Sequence, residues 1–180
     1  MEHYHYKFST FFWRVYASHV VTYFIMGIIA SSMLNYKEVF DSSCYFKPYD
    51  SPWIAGGVAL QVFRGLIFAL ALWYFKESFL HQKYGWIKLW GLLVGLSILS
   101  TTAAATGSIE GFIYTNVPIG DQIIGYIEVV PQVGVFSFLL CRWYDKPKKY
   151  WDIISGILVA LIMFMSLMGV LAATGTIQVD

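Results

Sequence analysis

Five stretches of this chain are each about 20 residues or longer and mostly apolar. They run about Trp13–Leu34, Trp53–Phe75, Trp86–Thr106, Asp121–Trp143 and Trp151–Thr174. A helix needs about 20 such residues to cross about 30 Å of hydrocarbon, whereas a strand of a membrane barrel needs only about 10, in alternating pattern. The stretches therefore read as helices. Composition agrees. The chain is 58% hydrophobic and 13% charged, with a mean hydropathy of +0.60. A soluble domain carries about 25% charged residues. That balance excludes a disordered chain, a nucleic-acid binder and an ordinary soluble enzyme. With 12 Lys+Arg against 11 Asp+Glu, no global field steers a charged partner. The expected fold is all-α: a polytopic membrane protein, one domain over residues 1–180, a five-transmembrane-helix bundle whose first partner is the lipid bilayer.

The connections set the orientation. Lys7 and Arg14 precede or open the first stretch. Lys76, Lys83 and Lys88 flank the second connection, and Arg142, Lys146, Lys148 and Lys149 the fourth. If five spans alternate, these nine lie on one side. The other side has Lys37 and Lys47 among Glu38, Asp41, Asp50, Glu110, Asp121 and Asp180. By the positive-inside rule the N-terminus is cytoplasmic and the C-terminus outside. The expected place is the cell membrane, of the prokaryotic inner-membrane kind. Trp13, Trp53, Trp73, Trp86, Trp143 and Trp151 mark span ends, as an interfacial aromatic belt does. The first stretch is longer than the apolar region of a signal peptide, and no small-x-small site precedes Asn35, so it reads as a retained helix.

The longest connection, residues 35–52, mixes turn formers with Tyr36, Phe40, Tyr45, Phe46 and Tyr49, and is expected to pack as an outer lid. The connection Gly107–Gly120 is expected to be broken backbone at its glycines and Pro118. Gly91 and Gly95 form a GxxxG; Gly27 with Ser31, and Gly156 with Ala160, share that spacing, which suits close helix contact. Cys44 and Cys141 fall at opposite ends of the spans and cannot pair within one chain.

The charged residue out of place is Arg64, eleven residues into the second stretch. An arginine at mid-bilayer costs at least about 2.5–3.5 kcal/mol. Gln61 and Gly57 share its helix face. In the fourth stretch Glu128 and Gln132 stand one turn apart, with Pro131 freeing a carbonyl near Ile127. An Arg64–Glu128 contact, with Gln61 and Gln132 beside it, would neutralise both charges. Glu110 and Tyr114 lie on the broken outer segment above, and His19 lies midway along the first stretch. Gln61, Arg64, Glu110, Tyr114, Glu128, Gln132 and His19 are thus the candidate binding residues or polar path.

No catalytic residue is assigned, and no cofactor or metal is implied. HExxH, Walker A, GxSxG and a nucleotide-binding glycine pattern are all missing from the sequence. His3 and His5 would need two more ligands to hold zinc, and His19 has no second histidine for haem. The expected function is to bind or pass a small solute or ion as a homo-oligomer, since five helices enclose little. The alternatives are an intramembrane enzyme acting on a lipid or other apolar substrate, and an accessory subunit of a membrane complex.

Overall fold

The computed structural model describes residues 7–42, 46–101 and 104–177, and within them every regular element is a helix. In chain order these are α1 (Phe8–Leu34), α2 (Tyr36–Ser42), α3 (Pro52–Phe79), α4 (Gly85–Leu93), which runs on into a π-helical turn (Val94–Leu99), α5 (Ile109–Tyr114), α6 (Ile119–Asp145) and α7 (Lys149–Ala173). Four of them, α1, α3, α6 and α7, are long and apolar enough to cross a membrane. The chain is a membrane protein on that ground. His3, His5, Cys44, Thr102 and Asp180 lie outside the described residues.

Local chemistry explains the ends. Asn35 closes α1 in the left-handed region (φ 48°), which asparagine tolerates, and its amide donates to Glu38 Oε2 at 2.8 Å. Ser51 and Pro52 open α3: the Ser51 hydroxyl accepts from the Trp53 N–H, and proline suits a first helical position. The expected third span, 86–106, is shorter as a helix. Nine α-helical residues are followed by six in the π-helical turn, which closes with Ser100 N–H donating to Gly95 O at 2.9 Å. Ser97 bonds back to Leu93 O, competing with regular winding. At about 1.5 Å per residue the helix reaches about 22 Å, short of a bilayer. The glycine breaks also differ from expectation. Gly111 sits inside α5 and Gly120 in the first turn of α6.

The chain divides into two compact units, residues 1–74 with 147–180, and residues 75–146. In the first, α1 is the central helix, buried from Phe11 to Val20 on almost every side. The α3 helix runs antiparallel to it. The rings of Phe8 and Phe11 meet Trp73 at 5.2 and 5.4 Å, and Tyr16 lies against Gly65, where an added Cβ would sit 2.9 Å from Tyr16 Cδ2. The α7 helix runs parallel to α1 and antiparallel to α3. Ser166 donates to Ala55 O at 2.7 Å, and a Cβ on Gly169 would meet Ala55 Cβ at 3.2 Å. Small residues do bring helices together: a Cβ on Gly156, one of the expected positions, would meet Trp13 of α1 at 3.9 Å, and the closer approaches are at Gly65 and Gly169. A Cβ on Gly91 or Gly95 would meet nothing within 4 Å among the described residues.

In the second unit α4 packs on α6. The Trp90 indole N–H donates to Val130 O at 3.1 Å and lies against Gly134. That bond falls one residue before Pro131, through which α6 runs unbroken. At the other end of α4 the chain turns so tightly that a Cβ on Gly85 would stand 1.8 Å from Phe79 O. Only glycine fits there. Cys141 is buried beside the same carbonyl, 3.8 Å away.

Candidate functional site

Each unit holds part of the expected set. In the first unit His19 and Gln61 meet across α1 and α3, Nε2 to Oε1 at 3.1 Å. The Gln61 amide nitrogen donates to Gly57 O at 3.1 Å. That second bond fixes the amide's orientation, so its oxygen faces His19 and the histidine carries its proton on Nε2. His19 is 2% exposed. Its ring packs edge-on against Phe68 at 5.0 Å, and the Arg64 guanidinium lies 5.5 Å from the centroid of the same Phe68 ring. Arg64 itself is exposed, on the flank of α3 beside the Gly65 face. Within its own unit, among the described residues, it meets no carboxylate.

The second unit holds Glu110, Tyr114, Glu128 and Gln132. Glu128 and Gln132 occupy consecutive turns of α6, half-buried and buried. Glu110 is half-buried in the first turn of α5, and Tyr114 is exposed at its end. Arg64 and Glu128 therefore belong to different units.

What holds the segment between the π-turn and α6 is a set of bonds to its main chain. Gln122 Oε1 accepts from Gly107 N–H, and its amide donates to Val117 O. The Tyr126 hydroxyl donates to Gly107 O. Ser108 caps α5, accepting from Gly111 N–H at 2.9 Å and donating to Ala105 O at 2.7 Å. Gly107 takes φ +84°, and a Cβ on Gly111 would stand 2.1 Å from Ala105 O, so neither position suits another residue. Gln122 and Tyr126 are legible in the sequence only as an i, i+4 pair in the first turns of α6, facing the GSIEG string.

A second pair missed by sequence reasoning lies in the first unit. Arg14, expected as a charge at a basic end, is 7% exposed, and its Nε stands 3.5 Å from Asp152 Oδ1. The signal is there: Trp13–Arg14 and Trp151–Asp152 are tryptophan–charge pairs at the ends of two stretches on one side. One turn deeper, the buried Ser18 hydroxyl has no hydrogen-bond partner among the described residues. Another turn deeper Thr22 bonds back to Ser18 O at 2.7 Å.

The connection between α1 and α3 contains α2 and a nest of rings. Phe40 stacks on Phe46 at 4.8 Å and meets Tyr49 edge-on at 6.3 Å, while Tyr49 reaches Ser31 at 3.3 Å. Lys47 lies over Trp53 at 5.4 Å. Compared with known proteins, the chain matches no family model, no curated protein and no solved structure.

Proposed function

We propose that the chain crosses the cell membrane five times, of the prokaryotic inner-membrane kind, and binds or passes a small solute or ion as a homo-oligomer. Its N-terminus lies inside and its C-terminus outside. The charges support the count. Both α3 and α6 end in basic residues, Lys76 and Arg142, so both run from outside to inside. The chain between them must then return outward through Gly85–Leu99 and the residues beyond. Non-helical backbone at membrane depth is tolerated only where protein covers it or water reaches it. The bonds from Gln122, Tyr126 and Ser108 fit that requirement.

The observation that carries the function is Arg64. It lies mid-way along a helix that can cross a membrane, is exposed, and has a phenyl ring as its neighbour, in line with Gln61 and His19. A permanent charge there is costly unless water or an anionic group reaches it. In the second unit Glu128 and Gln132 on α6, with Glu110 and Tyr114 on α5, are the further polar groups proposed for binding or passage. Reconstitution of the full chain into liposomes tests this. Chloride and potassium efflux should exceed that of protein-free liposomes, and Arg64→Ala or Glu128→Gln should lower it at least about tenfold. Efflux equal to empty liposomes, or unaltered by both substitutions, defeats the reading. Native mass spectrometry should give multiples of the 20.5 kDa chain.

A further inference from the structure

We propose that the end of the first unit where α1 and α7 begin is a docking surface for the anionic headgroups of phospholipids. The two helices lie side by side there. Arg14 Nε stands 3.5 Å from Asp152 Oδ1, and a Cβ on Gly156 would meet Trp13 at 3.9 Å. Beyond the ion pair, toward the helix starts, Lys7 precedes α1 while Lys148 and Lys149 open α7. All three lysines are exposed. At about 1.5 Å per residue, Lys7 lies about 10 Å past Arg14 and Lys148 about 6 Å past Asp152. The lysines therefore share one level to within about 4 Å, less than the thickness of one headgroup layer, about 5–7 Å.

Charge selects the ligand. Among the described residues this end of the unit carries four cations, Lys7, Arg14, Lys148 and Lys149, and one carboxylate, Asp152. Arg14 takes up that carboxylate, so the three lysines present their charge outward. The other end of the same unit sets two cations, Lys37 and Lys47, against three carboxylates, Glu38, Asp41 and Asp50. An anionic lipid surface thus attracts one end and not the other. Each lysine held near such a surface strengthens the association about fivefold.

The rings beside the lysines select the source of that anion. Tyr150 and Trp151 are both exposed, with ring centroids 5.2 Å apart, and Lys148 Nζ lies 5.6 Å from the centroid of Tyr150. Next to Lys7, Phe8 is also exposed and meets the Trp73 ring edge-on at 5.2 Å. Tyrosine and tryptophan settle where lipid tails meet headgroups, and a lysine stem lies along apolar surface while its ammonium reaches the polar layer. A soluble polyanion uses the charges and leaves the rings uncovered. A phospholipid uses both. In the orientation proposed above, this end meets the cytoplasmic leaflet, where anionic lipids give the surface its negative potential.

The test is native mass spectrometry of the full chain, released from detergent micelles holding equal amounts of phosphatidylglycerol and phosphatidylcholine with the same acyl chains. The wild type should retain phosphatidylglycerol over phosphatidylcholine by at least about fivefold. Combining Lys7→Gln, Lys148→Gln and Lys149→Gln should abolish the preference. These residues are exposed, so the triple variant should melt in detergent as the wild type does. Lys37→Gln with Lys47→Gln, at the other end, should leave the preference unchanged, and so should Arg64→Ala. Equal retention of the two lipids by the wild type overturns the proposal, as does a preference that survives the triple variant. A preference lost in Arg64→Ala would move the anion to mid-membrane and also overturns it. Binding of a polyglutamate peptide that the triple variant loses, with both lipids retained equally, would give this end to a soluble acidic partner instead. Lipid retention is read in detergent, so it stands or falls apart from the flux proposed above.

Discussion

The two units bury polar groups in opposite ways. The first keeps three long helices intact and joins side chains across them, as His19 to Gln61 and Arg14 to Asp152. The second lets the helix after Leu99 stop, then uses side chains to satisfy main chain: Gln122 and Tyr126 on Gly107, Ser108 on Gly111 and Ala105, Trp90 on Val130. Every backbone amide and carbonyl must be paired where water is scarce. A helix does this by itself, which leaves its side chains available for a polar path. Broken backbone consumes the side chains that repair it. The first unit is therefore where transmembrane chemistry is cheapest to build, and the second is where backbone shape is set.

That difference can be broken most severely at the tight turns of the second unit. Gly85→Ala and Gly111→Ala drive a methyl into a carbonyl oxygen and should each cost about 3 kcal/mol or more, or prevent folding. Thermal unfolding in detergent, followed by tryptophan fluorescence, would measure it. Retention of wild-type stability would show that the turns can relax. Next is Gln61→Leu in the first unit. It leaves the His19 Nε2–H unpaired among buried groups, a loss of about 1–3 kcal/mol. The same melt, compared with His19→Leu and the double variant, should show the pair to be coupled; simple additivity would deny the contact.

A smaller effect separates the units locally. Tyr126→Phe removes one hydroxyl bond, worth about 1 kcal/mol. Hydrogen exchange should then quicken around Gly107–Gly111 and stay unchanged around His19. Equal change in both would mean that the two units do not respond independently. The smallest effect is expected at Gly91 and Gly95. Alanine there meets nothing within 4 Å among the described residues, so each should be neutral or stabilising by up to about 1 kcal/mol through helix propensity. A clear destabilisation would mean that another chain packs on that stripe.

The long helices are legible in the sequence because their signal is length and apolarity. Four stretches become helices within a few residues of the expected ends, Phe8–Leu34 beginning earliest. The third stretch is apolar or small from Ser97 to Thr106 and so passes as span, whereas its helix ends at Leu99, where the Ser97 hydroxyl bonds back to Leu93 O. His19 and Gln61 stand out as isolated polar residues, but their contact depends on helix rotation, which two stretches cannot reveal separately. Arg14 is hidden by its place in a basic end. Its partner Asp152 has the same camouflage, since a charge at a span end normally faces water.

The π-helical turn at Val94–Leu99 has a consequence for the evolution of chain length. Such a turn holds one residue more than regular winding needs for the same advance. Loss of one residue within it would restore an α-helix and rotate only the segment beyond Leu99, leaving Trp90 seated on Val130. A similar loss inside α1 would swing His19 by about 100° away from Gln61. Single-residue deletions scanned along both segments should therefore be borne in one and rejected in the other, marking Val94–Leu99 as the chain's reserve of spare length.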